Sequence, residues 1–153
     1  MSILLTLVHL GLLWCLEFAP YPELFVYPYL TASGFLPYKE ILDQHFPGLM
    51  FFPVNFYTLG FTNPLAFKTL LLLVVALTSL FVFKLSRSWV AVLLYAIWQP
   101  YFEGNQLWLD VFLPLFTLPS YYLFTRKKIV QSGLVIGLGV VFKQTLVPLV
   151  AFV

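Results

Sequence analysis

Residues Leu65 to Phe83 form an apolar run in which Lys68 is the one charged side chain. A helix over these residues would be about 28 Å long at 1.5 Å per residue, close to the hydrocarbon thickness of a bilayer. The run therefore predicts a membrane-spanning helix. The composition agrees, because 61% of the residues are hydrophobic and 9% are charged, whereas a soluble domain has about 25% charged residues. We predict an integral membrane protein.

Four further apolar segments predict that the chain is all-α, a polytopic bundle of about five spanning helices in a single domain, residues 1–153. These segments are Ile3–Phe18, Trp89–Tyr101, Gln106–Phe124 and Ile129–Val153. His9 is predicted to hydrogen-bond a neighbouring helix, with a buried ligand role as the alternative. Gly133 and Gly137 have the GxxxG spacing, which predicts close helix packing.

Residues 20–64 contain seven prolines, too many for an uninterrupted spanning helix. Two apolar pieces within them, Glu23–Ala32 and Leu49–Phe61, are too short to span and are rich in Tyr and Phe, which favour the headgroup level. We predict that residues 20–64 form the first outer loop and hold two short interfacial helices. Ionisable residues gather at Gly34–Gly48, where such groups indicate a functional site; they are Lys39, Glu40, Asp43 and His45.

The basic residues predict the orientation, since Lys and Arg favour cytoplasmic loops. Five of the eight lie in two tight turns: Lys84, Arg87, Arg126, Lys127 and Lys128. With both turns inside, all six acidic residues fall outside: Glu17, Glu23, Glu40, Asp43, Glu103 and Asp110. We expect a multi-pass plasma-membrane protein whose outer face handles an anionic, lipid-linked substrate. The net charge of +2 and its placement in short turns argue against a nucleic-acid partner.

Four stretches in this order resemble the glycosyltransferase C superfamily, whose members use polyprenyl-phosphate sugars. They are ELFVYPYLTASG (23–34), GFLPYKEILDQHFPG (34–48), EGNQLWLDVFLPLF (103–116) and GLGVVFKQTLVPL (137–149). The superfamily includes protein O-mannosyltransferases, the lipid A aminoarabinose transferase and the oligosaccharyltransferase catalytic subunit. Its members have about seven or more spanning helices, so the resemblance implies that this chain is the N-terminal part of a larger transferase.

The resemblance implies roles for individual residues. Glu23 matches the acid that deprotonates the acceptor, and the spacing to Gly34 leaves Glu17 as its competitor. Ligands for a divalent metal (Mg²⁺, Mn²⁺ or Zn²⁺) or contacts to the acceptor are implied at Asp43, His45, Asp110 and Glu103. Substrate-binding residues are implied at Lys39, Tyr38 and Lys143. Lys143, fifteen residues into the last predicted helix, would bind phosphate or extend to the interface, and Asp43 and His45 would alternatively cap a helix after Pro47.

These features predict a transferase that moves a sugar from a polyprenyl-phosphate donor to a lipid, glycan or protein acceptor. The alternative is a transporter or flippase module for lipid-linked glycans. A transporter usually places polar groups near the bilayer midplane on broken helices, and Pro114 and Pro119 favour it because they interrupt a predicted helix. A purely structural membrane subunit would leave the one-sided acids without a role.

Overall fold

The computed structural model describes residues 1–43, 47–49, 51, 54–102 and 105–150. The chain is mostly helical, as predicted. The helices are α1 (Ser2–Cys15), α2 (Glu23–Ala32), α3 (Pro64–Ser86), α4 (Trp89–Phe102), α5 (Leu109–Phe112), α6 (Pro114–Thr125), α7 (Ile129–Phe142) and α8 (Val147–Val150). Two short strands, β1 (Ala19–Pro20) and β2 (Gln106–Leu107), pair in parallel with Ala19 opposite Gln106.

Helix α3 is the central element of the bundle. Asn63 begins it by accepting a hydrogen bond from the Ala66 amide at 2.9 Å, and Pro64 takes the first position, where no amide is needed. It ends at Arg87, which adopts a left-handed conformation (φ 55°) and donates its amide to Phe83. Its 23 residues make α3 about 34 Å long. Among the described residues it is the one helix both long and apolar enough to cross a membrane.

Helices α1, α4 and α6 pack around α3, and α6 also packs on α7. The α1–α4 contact contains a buried polar pair, in which His9 Nε2 and Gln99 Oε1 lie 3.0 Å apart. The prediction that His9 bonds a neighbouring helix is therefore confirmed. The α6–α7 contact is held by the hydroxyls of Ser120 and Ser132, which lie 2.9 Å apart and each donate to the other residue's carbonyl. Hydrogen bonds of this kind join helices in surroundings as apolar as the side chains themselves, where the hydrophobic effect does not drive association.

The glycine that allows close packing on α7 is not the predicted one. A Cβ on Gly133 or Gly137 would meet nothing within 4 Å among the described residues. A Cβ on Gly139 would lie 2.6 Å from Leu146 Cδ1 and 2.8 Å from Phe116 Cβ. The close approach therefore occurs where the end of α7 packs against α6 and the chain that follows.

Three predicted segments differ from the structure, and proline and turn chemistry contribute. Among the described residues around Leu49–Phe61, 47–49 form a single 3-10 turn and 56–60 form a turn in which Asn55 accepts from the Thr58 amide. The alternative that Asp43 and His45 cap a helix after Pro47 falls partly on residues outside the described part of the chain. The crossing predicted at Gln106–Phe124 is interrupted between α5 and α6, since the Pro114 ring excludes a regular helix through residue 110. The last helix ends at Phe142, upstream of Pro148.

The two basic turns lie at the same end of the bundle, which we call the basic end. The ring of Tyr122 lies between them, 4.6 Å from Lys84 Nζ and 5.4 Å from the Arg126 guanidinium. Both contacts have cation–π geometry. The two turns therefore lie at one end of the bundle, and their placement in the cytoplasm stays a prediction.

At the opposite end, which we call the loop end, β1, β2, α2 and α5 meet. Parallel pairing of the strands places the ring of Tyr21 4.6 Å from that of Trp108. Asn105 Nδ2 donates to the carbonyls of Leu13, Leu16 and Glu17 at 2.9, 3.0 and 2.8 Å. Leu13 lies in the last turn of α1, whose carbonyls lack helical partners, and Leu16 and Glu17 follow the helix directly.

Lys68 supplies a second cap for α1. Its Nζ donates to the Trp14 carbonyl at 2.6 Å and to the Leu16 carbonyl at 3.0 Å. A lysine near a spanning helix terminus thus has a structural role here. It anchors α3 to the end of α1.

Candidate active site

Glu23 is the first residue of α2, where the positive end of the helix dipole favours a carboxylate. Its side chain is half-buried, and its Oε2 atom is buried without a hydrogen-bond partner among the described residues. A buried acceptor in this state costs free energy, and a bound ligand or a functional role is one explanation for its retention. Glu23 therefore presents an oxygen that is able to accept a proton or a hydrogen bond.

Tyr27 lies one turn after Glu23 on the same face of α2. Burial raises the pKa of the Tyr27 phenol, and the negative charges of Asp43 and then Glu23 raise it further. Burial and the charge of Asp43 likewise raise the pKa of the Tyr38 phenol. Asp43 is thus near two phenols, one from α2 and one from the loop, and both stay protonated at neutral pH. We call Glu23, Tyr27, Tyr38 and Asp43 the acid–phenol cluster.

Phe51 holds the two phenol rings of the acid–phenol cluster in place. Its ring stacks on Tyr27 at a centroid distance of 5.9 Å and meets the edge of Tyr38 at 5.4 Å. Tyr38 has a left-handed backbone (φ 62°), which is uncommon for an aromatic residue. The turn around it is closed by its amide, which donates to Ile41, and by Glu40, whose carboxylate accepts from the Leu36 amide at 2.7 Å. Strain of this kind occurs often at binding sites.

Asp110 and Lys143 form an ion pair between α5 and the residue after α7. Lys143 is not inside a helix as predicted; its backbone is extended (φ −152°, ψ 125°). Its side chain is 14% exposed and that of Asp110 is 38% exposed. The lysine that the sequence assigns to phosphate binding is therefore already close to an anion, the Asp110 carboxylate.

Gly48 connects these two parts of the loop end. A Cβ on Gly48 would lie 2.4 Å from the Val141 carbonyl oxygen, so the loop backbone packs directly on the end of α7. Lys143 is two residues after Val141, and Phe51 is three residues after Gly48. The contact places the acid–phenol cluster and the Asp110–Lys143 pair at one end of the bundle.

Other predicted site residues lie apart from this arrangement or outside the described residues. The side chain of Glu17 is exposed, and its carbonyl is held by Asn105. Lys39 is exposed and has no ion pair with a described residue. His45 and Glu103 lie outside the described residues.

The metal site remains a prediction. Among the described residues no three His, Cys, Asp or Glu side chains come together as ligands. Of the two described candidates, Asp110 is engaged by Lys143 and Asp43 faces the phenols. Alone they do not make up a complete ligand set for a divalent metal.

Sequence reasoning missed the roles of Asn105 and Tyr27. Asn105 lies beside Gly104, so it has the signature of a turn residue and not of a cap for a distant helix. Its buried Oδ1 atom has no hydrogen-bond partner in the described part of the chain. Tyr27 carries a signal that is visible in the sequence, since it is four residues after Glu23.

Comparison of the chain with known protein families, characterised proteins and solved structures finds no match.

Proposed function

We propose that the protein is an integral membrane glycosyltransferase that moves a sugar from a polyprenyl-phosphate donor to an acceptor on the outer face of the plasma membrane. The observation that carries the proposal is the buried, unpartnered carboxylate oxygen of Glu23 beside Tyr27. Transfer to an alcohol or amide requires a base at the acceptor and positive charge at the leaving phosphate. Glu23 supplies the first and Lys143 the second.

The reaction follows from these two charges. The carboxylate of Glu23 takes the proton from the acceptor as the acceptor heteroatom forms a bond to the anomeric carbon. The bond between that carbon and the phosphate oxygen breaks, and its electron pair stays on the phosphate. The Lys143 ammonium offsets the negative charge that develops there. Asp43 accepts a hydrogen bond from the acceptor substrate, and the two phenols donate hydrogen bonds to it.

Placement of the bundle in a bilayer is supported by its surface. Large apolar side chains are exposed along α1, α4 and α7; they include Leu4, Leu7, Leu94, Ile97, Val130, Leu134 and Leu138. An exposed apolar surface of this extent favours a lipid environment. With the basic end in the cytoplasm, the acid–phenol cluster lies outside, where lipid-linked sugars would meet it.

The central test is Glu23→Gln in membranes that contain the full-length protein, assayed for transfer of labelled sugar from polyprenyl-phosphate hexose and pentose donors. We expect turnover to fall by about 10²- to 10⁴-fold, the usual contribution of a general base. Glu40→Gln is the matched control, because Glu40 is exposed and Gln keeps an oxygen that accepts from the Leu36 amide, so the turn around Tyr38 is retained; it should keep wild-type turnover. Wild-type turnover in Glu23→Gln would remove Glu23 from the mechanism, and Glu17→Gln would then be the next variant to assay.

Orientation is tested separately with cysteines introduced at Glu40 and Lys127 after the native Cys15 is replaced by Ala. A membrane-impermeant maleimide added to intact cells should label position 40 and not position 127. Labelling of both positions from outside would contradict the proposed topology.

The transporter module stays as the second candidate because the helix predicted at Gln106–Phe124 is interrupted between α5 and α6. Broken helices line the sites of many transporters. Protein reconstituted in vesicles distinguishes the two functions. Movement of a fluorescent lipid-linked glycan across the bilayer, without sugar transfer in any donor assay, would favour the transporter.

A further inference from the structure

The ion pair of Asp110 and Lys143 occupies the position where the proposed function requires an anionic ligand. We propose that the Asp110 carboxylate occupies the phosphate position on Lys143 and rotates away when a phosphate ester of the donor binds. This inference rests on the proposed function, and it adds that Asp110 competes with the phosphate for Lys143. The ligand class is a phosphate monoester or diester.

Lys143 is the fixed member of the pair. Its amide donates to the Gly139 carbonyl at 3.0 Å, and its carbonyl accepts from the Leu146 amide at 3.2 Å. The preceding residue, Phe142, packs its ring 4.7 Å from that of Phe116 on α6. With 14% of its side chain exposed, Lys143 presents its ammonium from a well-supported backbone.

Asp110 is the member that is able to move. Its side chain is 38% exposed, and it is short, with two rotatable bonds. Rotation of these bonds moves the carboxylate to water without a change in the α5 backbone. A carboxylate that returns to water regains its hydration, so its departure does not leave a buried, unpaired charge.

The charges favour an exchange of one anion for another. A lysine as shielded as Lys143 is costly without a counter-ion, and Asp110 is its ion-pair partner among the described residues. A polyprenyl-phosphate sugar is a diester with one negative charge, so it replaces the carboxylate without a net change. After transfer the phosphate is a monoester with a larger negative charge. Return of Asp110 then assists product release by competing for the same ammonium.

The test is a binding measurement with full-length protein in nanodiscs, using farnesyl phosphate and inorganic phosphate as separate probes followed by ³¹P NMR. Asp110→Asn removes the competing charge and should lower the Kd for farnesyl phosphate about fivefold, the factor that a partly exposed ion pair is typically worth. Asp110→Ser should show the same direction if Asn perturbs the fold. Lys143→Met should weaken binding at least tenfold.

Glu40→Gln is the control for net charge, because it removes one negative charge at the loop end without touching the pair; its Kd should equal that of the wild type. A gain with both probes would support the inference and identify phosphate as sufficient. A gain with farnesyl phosphate alone would support it for lipid phosphates. Unchanged or weaker binding in both Asp110 variants would overturn it, since Asp110 would then only position Lys143. Binding is measured without sugar transfer, so a protein that shows the expected Kd changes but transfers no sugar would contradict the proposed function alone.

Discussion

The basic end and the loop end of the bundle are stabilised in different ways. At the basic end, each turn is short and closed by neighbours in sequence: Arg87 caps α3 by donating to Phe83, and Lys128 donates to Leu123. At the loop end, the contacts join distant parts of the chain, as in the bonds of Asn105 to α1 and the contact of Gly48 with α7. Long-range contacts cost more chain entropy to form, so they are retained where a precise arrangement is needed.

The loop end contains two buried acceptors without a hydrogen-bond partner in the described part of the chain. Glu23 Oε2 and Asn105 Oδ1, both at the loop end, have no hydrogen-bond partner among the described residues. An unsatisfied buried acceptor costs about 1–3 kcal/mol. At the basic end, Tyr122 has a cation on each of two sides. At the loop end these two acceptors lower the stability, whereas at the basic end the cation–π contacts join the two turns.

The largest stability effect should come from Gly48→Ala. The added Cβ would meet backbone atoms of Val141 and Phe142, which cannot move aside as a side chain does. We expect the free energy of unfolding to fall by about 3 kcal/mol or more, the upper end of the cost of overpacking, because the atoms that the Cβ meets are backbone. The measurement is the thermal unfolding midpoint in nanodiscs.

Gly133→Ala is the matched control for Gly48→Ala, because its Cβ would lie in open space on α7. We expect it to be neutral or stabilising by up to about 1 kcal/mol, since Ala favours helix. Equal shifts in the two variants would show that the loop does not depend on its contact with α7.

A smaller effect is expected for Asn105→Leu. The substitution leaves the carbonyls of Leu13, Leu16 and Glu17 without the Asn105 donor, at a cost of about 1–3 kcal/mol. Lys84→Met at the basic end removes one cation–π contact, worth about 0.5–1 kcal/mol at an exposed site. The pair is compared by thermal unfolding. A larger loss of stability in Lys84→Met than in Asn105→Leu would contradict the conclusion that long-range hydrogen bonds stabilise the loop end.

The smallest effects concern the left-handed residues Arg87 and Tyr38. Arg87→Gly should raise the stability by about 0.5–1 kcal/mol, because glycine adopts this conformation without strain at a helix end. Tyr38→Gly gains the same relief but loses the ring contact with Phe51, worth about 0.5–1.5 kcal/mol, so its net change should be near zero. Chemical denaturation compares the two. Equal stabilisation would show that Tyr38 has no packing role.

Local patterns were sufficient to predict the helices whose signals lie within a few residues. Helix α2 has the bounds predicted for it, and α3 extends the predicted run by one residue at its start and three at its end. The shared side of the two basic turns also followed from the sequence, because short turns join antiparallel helices. Charge alone drew attention to Asp43 in so apolar a chain, whereas the roles predicted for Glu23, Asp110 and Lys143 came from the family resemblance.

Tertiary structure decided the partners of those residues. Nothing in the sequence pairs Asp110 with Lys143, 33 positions away, or directs Asn105 to the end of α1. The helix predicted from Gln106 begins at Leu109 and divides at Pro114, the last helix ends at Phe142, before Pro148, and residues 56–60 form a turn that Asn55 closes. Hydropathy along the chain reports where a residue prefers to lie, whereas hydrogen bonds and ion pairs depend on which distant backbone atoms approach within about 3 Å. Sequence alone therefore determined the segments and their polarity, and the packing of the loop end determined which charged groups meet.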